Sequence, residues 1–241
     1  SASDLITAYA SGGISNLGDE AVSVSSGTAS TSQANTLAAA TSGVVTATIS
    51  DGDLSTLAGL TETGNAYTIT ITDTSVDAAA LNTLDGKTTV AINAANITTL
   101  TGAAADLNTA YAANGSSITG LGNEAATLSD TTLAASVLNT LDGNTSGTVN
   151  ASNITTLTGA AADLNTAYDS AGISGLANEA VTLSDTTLAA SVLNTLDGQT
   201  SGTVNANTVT TLTGAAADLN TAYDSAGISN LGNEAVTLSD T

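Results

Sequence analysis

The residues most able to do chemistry in this sequence are its carboxylates. The chain carries 22 Asp and Glu residues against one basic residue, Lys87, and it has no His and no Cys. Three equivalent turns each place an Asp before a Gly, at Asp85, Asp142 and Asp197. Oxygen ligands repeated in this way suit calcium better than a transition metal. The same pairs also fit a simpler role, because Gly is common where a helix ends.

Catalysis is not expected from this set of residues. Without His or Cys the chain has no imidazole base and no thiol nucleophile. Paired carboxylates can do acid–base chemistry, but these acids recur once per repeat, as on a solvated surface. The sequence therefore predicts a protein that is not an enzyme.

The charge balance also restricts the partners. The formal net charge is -21 at pH 7, and binding to phosphates depends on Lys and Arg. Nucleic acid and anionic membrane surfaces are therefore poor partners. No apolar run is long enough to cross a bilayer, so membrane insertion is not expected. The lack of cysteine excludes disulfides and thiolate metal sites.

A repeated unit must position these carboxylates, and residues 180–206 show it best (AVTLSDTTLAASVLNTLDGQTSGTVNA). Val181 and Leu183 alternate with polar residues, which predicts a strand with one buried face. Ser184-Asp185 is suited to cap a helix that follows directly. The predicted apolar face of this helix consists of Leu188, Val192, Leu193 and Leu196. Asp197 then ends the helix.

Strands of this type can be aligned along the whole sequence as nine rungs. Their first inward residues are Val22, Ala47, Ile69, Ile92, Ala126, Val149, Val181, Val204 and Val236. From Ala126 the steps are 23, 32, 23 and 32 residues (149-126, 181-149, 204-181, 236-204). The helix of the long rung is predicted from Ile154, Leu157, Ala161, Leu164 and Tyr168. Such self-similarity indicates stacked repeats.

The predicted fold is therefore an α/β repeat solenoid of short parallel strands backed by short helices. It forms a single continuous array over residues 1–241, with incomplete repeats at 1–20 and 239–241. The alternative is a right-handed parallel β-helix in which the LNTLDG segments are not helical. Under either fold, neighbouring repeats cover one another's apolar faces.

The two ends of the array predict self-association. Residues 1–20 match residues 160–179, and the sequence stops where the next helix is expected. The last strand leaves Val236 and Leu238 without a covering strand, and an edge near Val22 and Val24 is the expected counterpart. Contact between two different ends is head-to-tail and generates an open filament. The predicted partner is therefore a second copy or the continuation of a longer array.

An outward-facing row of polar residues offers a second binding surface. It consists of Thr127, Asn150, Thr182, Asn205 and Thr237. Stacked about 4.8 Å apart, these side chains could bind carbohydrate, ice or a neighbouring fibre. Strand propensity alone also selects outward Thr, so a plain solvated face remains the other interpretation.

The sequence resembles a known type of repeat. The runs LNTLDG, TLTGAAADLNTAY and NEAVTLSDT are similar to tandem repeats of very large secreted surface proteins of bacteria, particularly marine cyanobacteria. The resemblance covers essentially the whole chain and implies an extracellular structural role in a surface layer, fibre, adhesin or matrix. The glycine-rich calcium nonapeptides common in related giant proteins are absent here, so their calcium chemistry does not transfer directly.

Overall fold

The computed structural model describes residues 1–240 of the chain. The helices are α1 (Ala2–Tyr9), α2 (Thr31–Ala40), α3 (Leu54–Leu57), α4 (Ala78–Asp85), α5 (Ala104–Ala113), α6 (Ala135–Asn144), α7 (Ala161–Asp169), α8 (Ala190–Asp197) and α9 (Ala216–Asp224). The strands are β1 (Val22–Ser23), β2 (Val45–Thr48), β3 (Ala66–Thr68), β4 (Ser75–Asp77), β5 (Ile92–Asn93), β6 (Thr99–Gly102), β7 (Ile118–Thr119), β8 (Ala125–Leu128), β9 (Thr132–Ala134), β10 (Val149–Asn150), β11 (Thr156–Gly159), β12 (Ile173–Ser174), β13 (Ala180–Leu183), β14 (Thr187–Ala189), β15 (Val204–Asn205), β16 (Thr211–Gly214), β17 (Ile228–Ser229) and β18 (Ala235–Leu238).

The chain divides into two compact units. Unit 1 comprises residues 1–102 and 106–124, and unit 2 comprises residues 103–105 and those from 125 onward. In unit 1, β2 lies between β1 and β3, β4 pairs with β6, and β5 pairs with β7. In unit 2, β10 lies between β8 and β12. A second sheet of unit 2 has the order β17-β15-β13-β11-β9, and a third has the order β14-β16-β18. The prediction of one uninterrupted array over residues 1–241 stays a prediction.

The fold is α/β, with parallel sheets backed by short helices, which is consistent with a repeat solenoid. Every strand pair described above is parallel. The LNTLDG segments are helical, in α4, α6 and α8. The sequence therefore predicted the fold class at this level.

The predicted alternation of short and long rungs is wrong in register. Val149 pairs with Ile173, not with Val181, and Val181 pairs with both Leu157 and Val204. The separations 173-149 and 181-157 are equal, and 204-181 is shorter by one. We call the stretch between two such paired positions a coil. The long rung results from skipping the short strand at Ile173.

The sequence repeat, which is one short rung and one long rung together, is not a whole number of coils. Two coils after Val181, the same sheet position is held by Ile228. The copy of Val181 in the next repeat is instead Val236, which pairs with Leu212, and Leu212 pairs with Leu188. Each copy is therefore displaced sideways by one strand. This is why β13 and β18, both AVTL, lie in different sheets.

The helices begin later than predicted, because a strand precedes each one. Leu188 lies on β14 and Leu157 on β11, whereas the sequence predicts both on helices. Helices α8 and α7 start only at Ala190 and Ala161. The segments TLA and TLTG alternate β-branched and apolar residues, which favours a strand. Their apolar residues also fall in phase with the helix that follows, so periodicity alone merges the two elements.

The core of both units is made of small aliphatic side chains. Leu183 and Leu193 are buried, as predicted. Tyr67 is the largest fully buried side chain, in a position whose partner on β2 is Ala47. The short strands and helices bury these residues only against their neighbours, as expected of stacked repeats.

Candidate functional site: inter-coil carboxylates and an open strand edge

The three predicted metal-ligating aspartates lie at or beside the ends of helices α4, α6 and α8. Oδ2 of each accepts a hydrogen bond of 2.7 Å from a serine hydroxyl: Ser117 to Asp85, Ser170 to Asp142 and Ser225 to Asp197. These serines follow the aspartates by 32, 28 and 28 residues. Each aspartate thus joins its own coil to a later one.

A glycine makes the aspartate–serine contact in unit 2 possible. A Cβ on Gly172 would overlap Oδ1 of Asp142, and Gly227 stands in the same relation to Asp197. The N–H of Gly172 also donates to the hydroxyl of Ser170 at 3.0 Å. The carboxylate, hydroxyl and glycine therefore form one packed contact between coils.

The structure does not bring Asp85, Asp142 and Asp197 together. Within residues 1–240, no three His, Cys, Asp or Glu side chains are grouped so that they could hold a metal ion. A calcium ion at these aspartates stays a prediction. Their hydrogen bonds give them a structural role that does not depend on a metal.

Sodium and calcium salts, compared at equal ionic strength, are expected to raise the Tm by the same amount. The net charge of -21 repels itself, and either salt screens this repulsion. The measurement is a thermal melt of the wild type and of Asp142→Asn. A larger rise with millimolar calcium that Asp142→Asn abolishes would contradict this expectation and locate a bound ion.

A second set of aspartates caps helices of the preceding coil. Oδ2 of Asp185 accepts the backbone N–H of Ala161, the first residue of α7, at 2.7 Å. Asp130 binds the N–H of Ala104 at the start of α5 in the same way, at 2.7 Å. The prediction that Ser184-Asp185 caps the helix that follows it is therefore wrong. Helix α8 begins after β14 and has no side-chain cap.

Asp185→Ala is expected to lower the free energy of unfolding by about 1 kcal/mol, the usual effect of losing a helix cap. The carboxylate also interacts favourably with the N-terminal end of the helix dipole. Hydrogen exchange should rise in α7, which lies 24 residues before the substitution. Ser184→Ala is the matched control and should leave α7 unchanged. Faster exchange in α8 alone would contradict the assignment.

A buried glutamate closes each long repeat. Glu179 is 1% exposed, and its carboxylate accepts the hydroxyl of Tyr168 at 2.9 Å. The N–H groups of Ala177 and Asn178 donate to the same carboxylate, at 2.9 and 3.2 Å. A buried carboxylate is tolerated only when donors satisfy it in this way.

The following coil covers this glutamate with a Thr-Ser-Gly sequence, which we call the TSG clasp. Thr200 donates its hydroxyl to the carbonyl of Glu179 at 2.8 Å, and a Cβ on Gly202 would overlap that carbonyl. In unit 1, Thr41 donates to the carbonyl of Glu20 at 2.7 Å. Both threonines follow their glutamate by 21 residues (200-179, 41-20). Sequence reasoning missed this contact, although the constant spacing was visible.

The tyrosine–glutamate pairs change the proton affinities of both partners. Burial, and then the hydrogen bond to Glu179 and its charge, raise the pKa of Tyr168 well above its ordinary value. The same causes raise the pKa of Tyr223, which is paired with Glu234, to about 12. For Glu234, burial raises the pKa, but the donors from Tyr223 and from backbone N–H groups outweigh it and lower the pKa.

Tyr168→Phe is expected to destabilise the protein by about 1.5 kcal/mol, because it removes a hydrogen bond to a buried charged acceptor. Tyr67→Phe is the matched control. The hydroxyl of Tyr67 is buried without a hydrogen-bond partner, so its removal should leave the stability unchanged or increase it. Urea unfolding measures both. Equal losses of stability in the two variants would contradict the role of the Tyr168–Glu179 pair.

Strand β18 presents an open edge. In the described chain it is the last strand of the order β14-β16-β18. Val236 is 49% exposed and Leu238 is 60% exposed, as the sequence predicted for an uncovered strand. Val22 and Val24, predicted as the counterpart edge, lie on and beside the edge strand β1, but their side chains are buried. The exposed large apolar residues that sequence reasoning missed are Ile14, Leu17, Val44 and Tyr223.

The predicted outward row of polar residues is not one ladder. Thr127 pairs with Asn150, and Thr182 pairs with Asn205, but these pairs belong to different sheets. Thr237 pairs with Thr213 in a third sheet. The sideways displacement of each sequence repeat divides the row. Carbohydrate or ice binding along it stays a prediction.

Comparison of the chain with protein-family models, with curated proteins and with solved structures found no match. Within residues 1–240, none of the helices combines the length and apolar character that a membrane span requires.

Proposed function

We propose that this protein is a structural, extracellular repeat protein that builds a fibre, surface layer or matrix by end-to-end stacking of α/β solenoids. The acidic composition and the resemblance of its repeats to those of large bacterial surface proteins support this role. The calcium-dependent adhesin and the carbohydrate- or ice-binding module remain the alternatives from sequence.

One comparison within the molecule carries the proposal. Strands β13 and β18 have the same sequence, AVTL. Val181 and Leu183 of β13 are 0% and 2% exposed, and β15 pairs with β13 on the side away from β11. Val236 and Leu238 of β18 are half or more exposed, although β16 pairs with β18. The next strand therefore provides the burial, and β18 is suited to receive one.

The test is assembly of the full chain in solution, by sedimentation velocity and negative-stain electron microscopy. The wild type should form filaments or higher oligomers whose amount increases with concentration. Val236→Asp/Leu238→Asp should remain monomeric with little change in Tm, because both side chains are already exposed.

Ser136→Asp/Ser191→Asp is the matched control for added charge. Both serines are exposed on helices, near the N-terminal ends of α6 and α8. This variant should assemble like the wild type. A wild type that stays monomeric at every concentration, or assembly that the β18 variant retains, would overturn the proposal.

A further inference from the structure

Two segments of this chain are near copies of each other in sequence. Residues 1–26 and 215–240 align without a gap. Residues 14–22 read ISNLGDEAV and residues 228–236 read ISNLGNEAV, with a single difference. The other copies of this stretch depart further, with ITGLGNEAA from Ile118 and ISGLANEAV from Ile173.

The two segments also have the same conformation. Among the described residues other than Gly, positive φ occurs at Asn16 (63°) and Asn230 (65°), which are equivalent positions. A glycine N–H two residues before Glu20, and another two residues before Glu234, donates to the glutamate carboxylate, at 2.8 Å in both cases. Each segment begins with a helix, α1 or α9, and ends at a strand, β1 or β18.

Residues 1–26 are docked against β2. The N–H groups of Val22 and Val24 donate to the carbonyls of Val44 and Thr46, both at 2.9 Å. The TSG clasp of unit 1 completes the contact through Thr41, and Ser42 donates its N–H to the carbonyl of Gly18 at 2.7 Å. Strand β2 pairs with β3 on its other side, so this side accepts one strand only.

Residues 215–240 have the same groups without such an acceptor strand. β18 pairs with β16 through bonds that include Ala235 to Thr210 and Ser239 to Gly214. In the identical strand β13, the N–H of Val181 points to the other side and donates to Thr203 of the next coil at 2.9 Å. The edge of β18 towards which Val236 donates is therefore the open one.

We propose that residues 215–240 of one copy replace residues 1–26 of a second copy on its strand β2. The inference rests on the proposed end-to-end assembly and specifies its partner surface. Val236 and Leu238 would then take the positions of Val22 and Val24, and Glu234 would receive the TSG clasp of the second copy through Thr41. This is a domain swap between near-identical segments, which has a low free-energy cost because the contacts are exchanged rather than invented. Because donor and acceptor lie on different parts of the chain, the swap continues from copy to copy and forms an open filament.

The register of the swap can be tested with cysteines, since the chain has none of its own. Ser23 pairs with Thr46, so Thr237, the equivalent of Ser23, should come to face Thr46 of the next copy. Full-length Thr46→Cys and Thr237→Cys, both at exposed positions, are mixed, warmed to just below the Tm to release residues 1–26, cooled and oxidised. Paired positions on neighbouring strands are close enough for a disulfide.

A disulfide-linked heterodimer of Thr46→Cys and Thr237→Cys is expected as the main product. Thr195→Cys, exposed on α8, replaces Thr46→Cys in the control mixture and should give no more than background cross-linking. Adding Val236→Asp to the Thr237→Cys chain should abolish the heterodimer. Circular dichroism of each variant confirms that it is folded.

Sedimentation of the same wild-type protein separates this inference from the proposed function. Assembly without the Thr46–Thr237 link would overturn the swap and leave end-to-end assembly standing. A link no more frequent than in the control mixture, with monomers only, would overturn both.

Discussion

Leu193→Ala is expected to lower the free energy of unfolding by about 2–5 kcal/mol, the usual effect of truncating a fully buried leucine. Leu193 is 0% exposed and lies on α8, which packs against α7 and α9. Since repeats stabilise mainly their nearest neighbours, hydrogen exchange should rise most in α7, α8 and α9. Urea unfolding and exchange mass spectrometry measure the two effects.

Ser191→Ala is the control for this substitution, because Ser191 is exposed on the same helix. It should change the stability by less than about 0.5 kcal/mol, as is usual on a surface. Exchange that increased equally at every helix of the chain would argue against stacked coils. A loss of stability as small as that of the control would show that Leu193 is not part of the core.

Gly202→Ala is expected to destabilise the protein by about 3 kcal/mol, at the upper end of the range for overpacking. The added Cβ would overlap the carbonyl oxygen of Glu179 and would lie 2.5 Å from its carbonyl carbon and 2.9 Å from the nitrogen of Ala180. These are backbone atoms, which cannot move aside as a flexible side chain could. The substitution should open the TSG clasp and expose Glu179 and Tyr168.

Gly143→Ala is the matched control on helix α6. Nothing lies within 4 Å of a Cβ at this position, and replacing Gly by Ala inside a helix stabilises by about 0.5–1 kcal/mol. The two Gly→Ala variants should therefore shift the Tm in opposite directions. A stable Gly202→Ala protein with an intact Tyr168–Glu179 pair would show that the close approach is not required.

The sequence by itself determined the kind of element at most positions. The alternation in AVTL specified the strands β13 and β18, and the LNTL pattern specified the helices α6 and α8. These signals are local, because one buried face at a period of 2 or near 3.6 residues is enough to choose between strand and helix. The burial of Leu183 and Leu193 followed from the same patterns.

The register of the coils was decided only by the tertiary structure. A coil closes where the chain returns to the same sheet with its helix packed, as it does between Leu157 and Val181. The sequence repeat is longer than two coils, so counting its period alone placed Val149 beside Val181 rather than Ile173. The strand at Ile173 consists of Ile173 and Ser174 alone, too short for a periodic signal.

The roles of the polar residues also depended on the tertiary structure. Asp185 is suited by sequence to cap the helix after it, yet it caps α7, 24 residues earlier. Asp142 is suited to bind an ion, yet it accepts a hydrogen bond from Ser170, 28 residues later. A carboxylate accepts any donor that packing brings within reach, and the stacking of coils brings donors from distant residues. The sequence therefore determined which groups can form bonds, and the closure of the coils selected their partners.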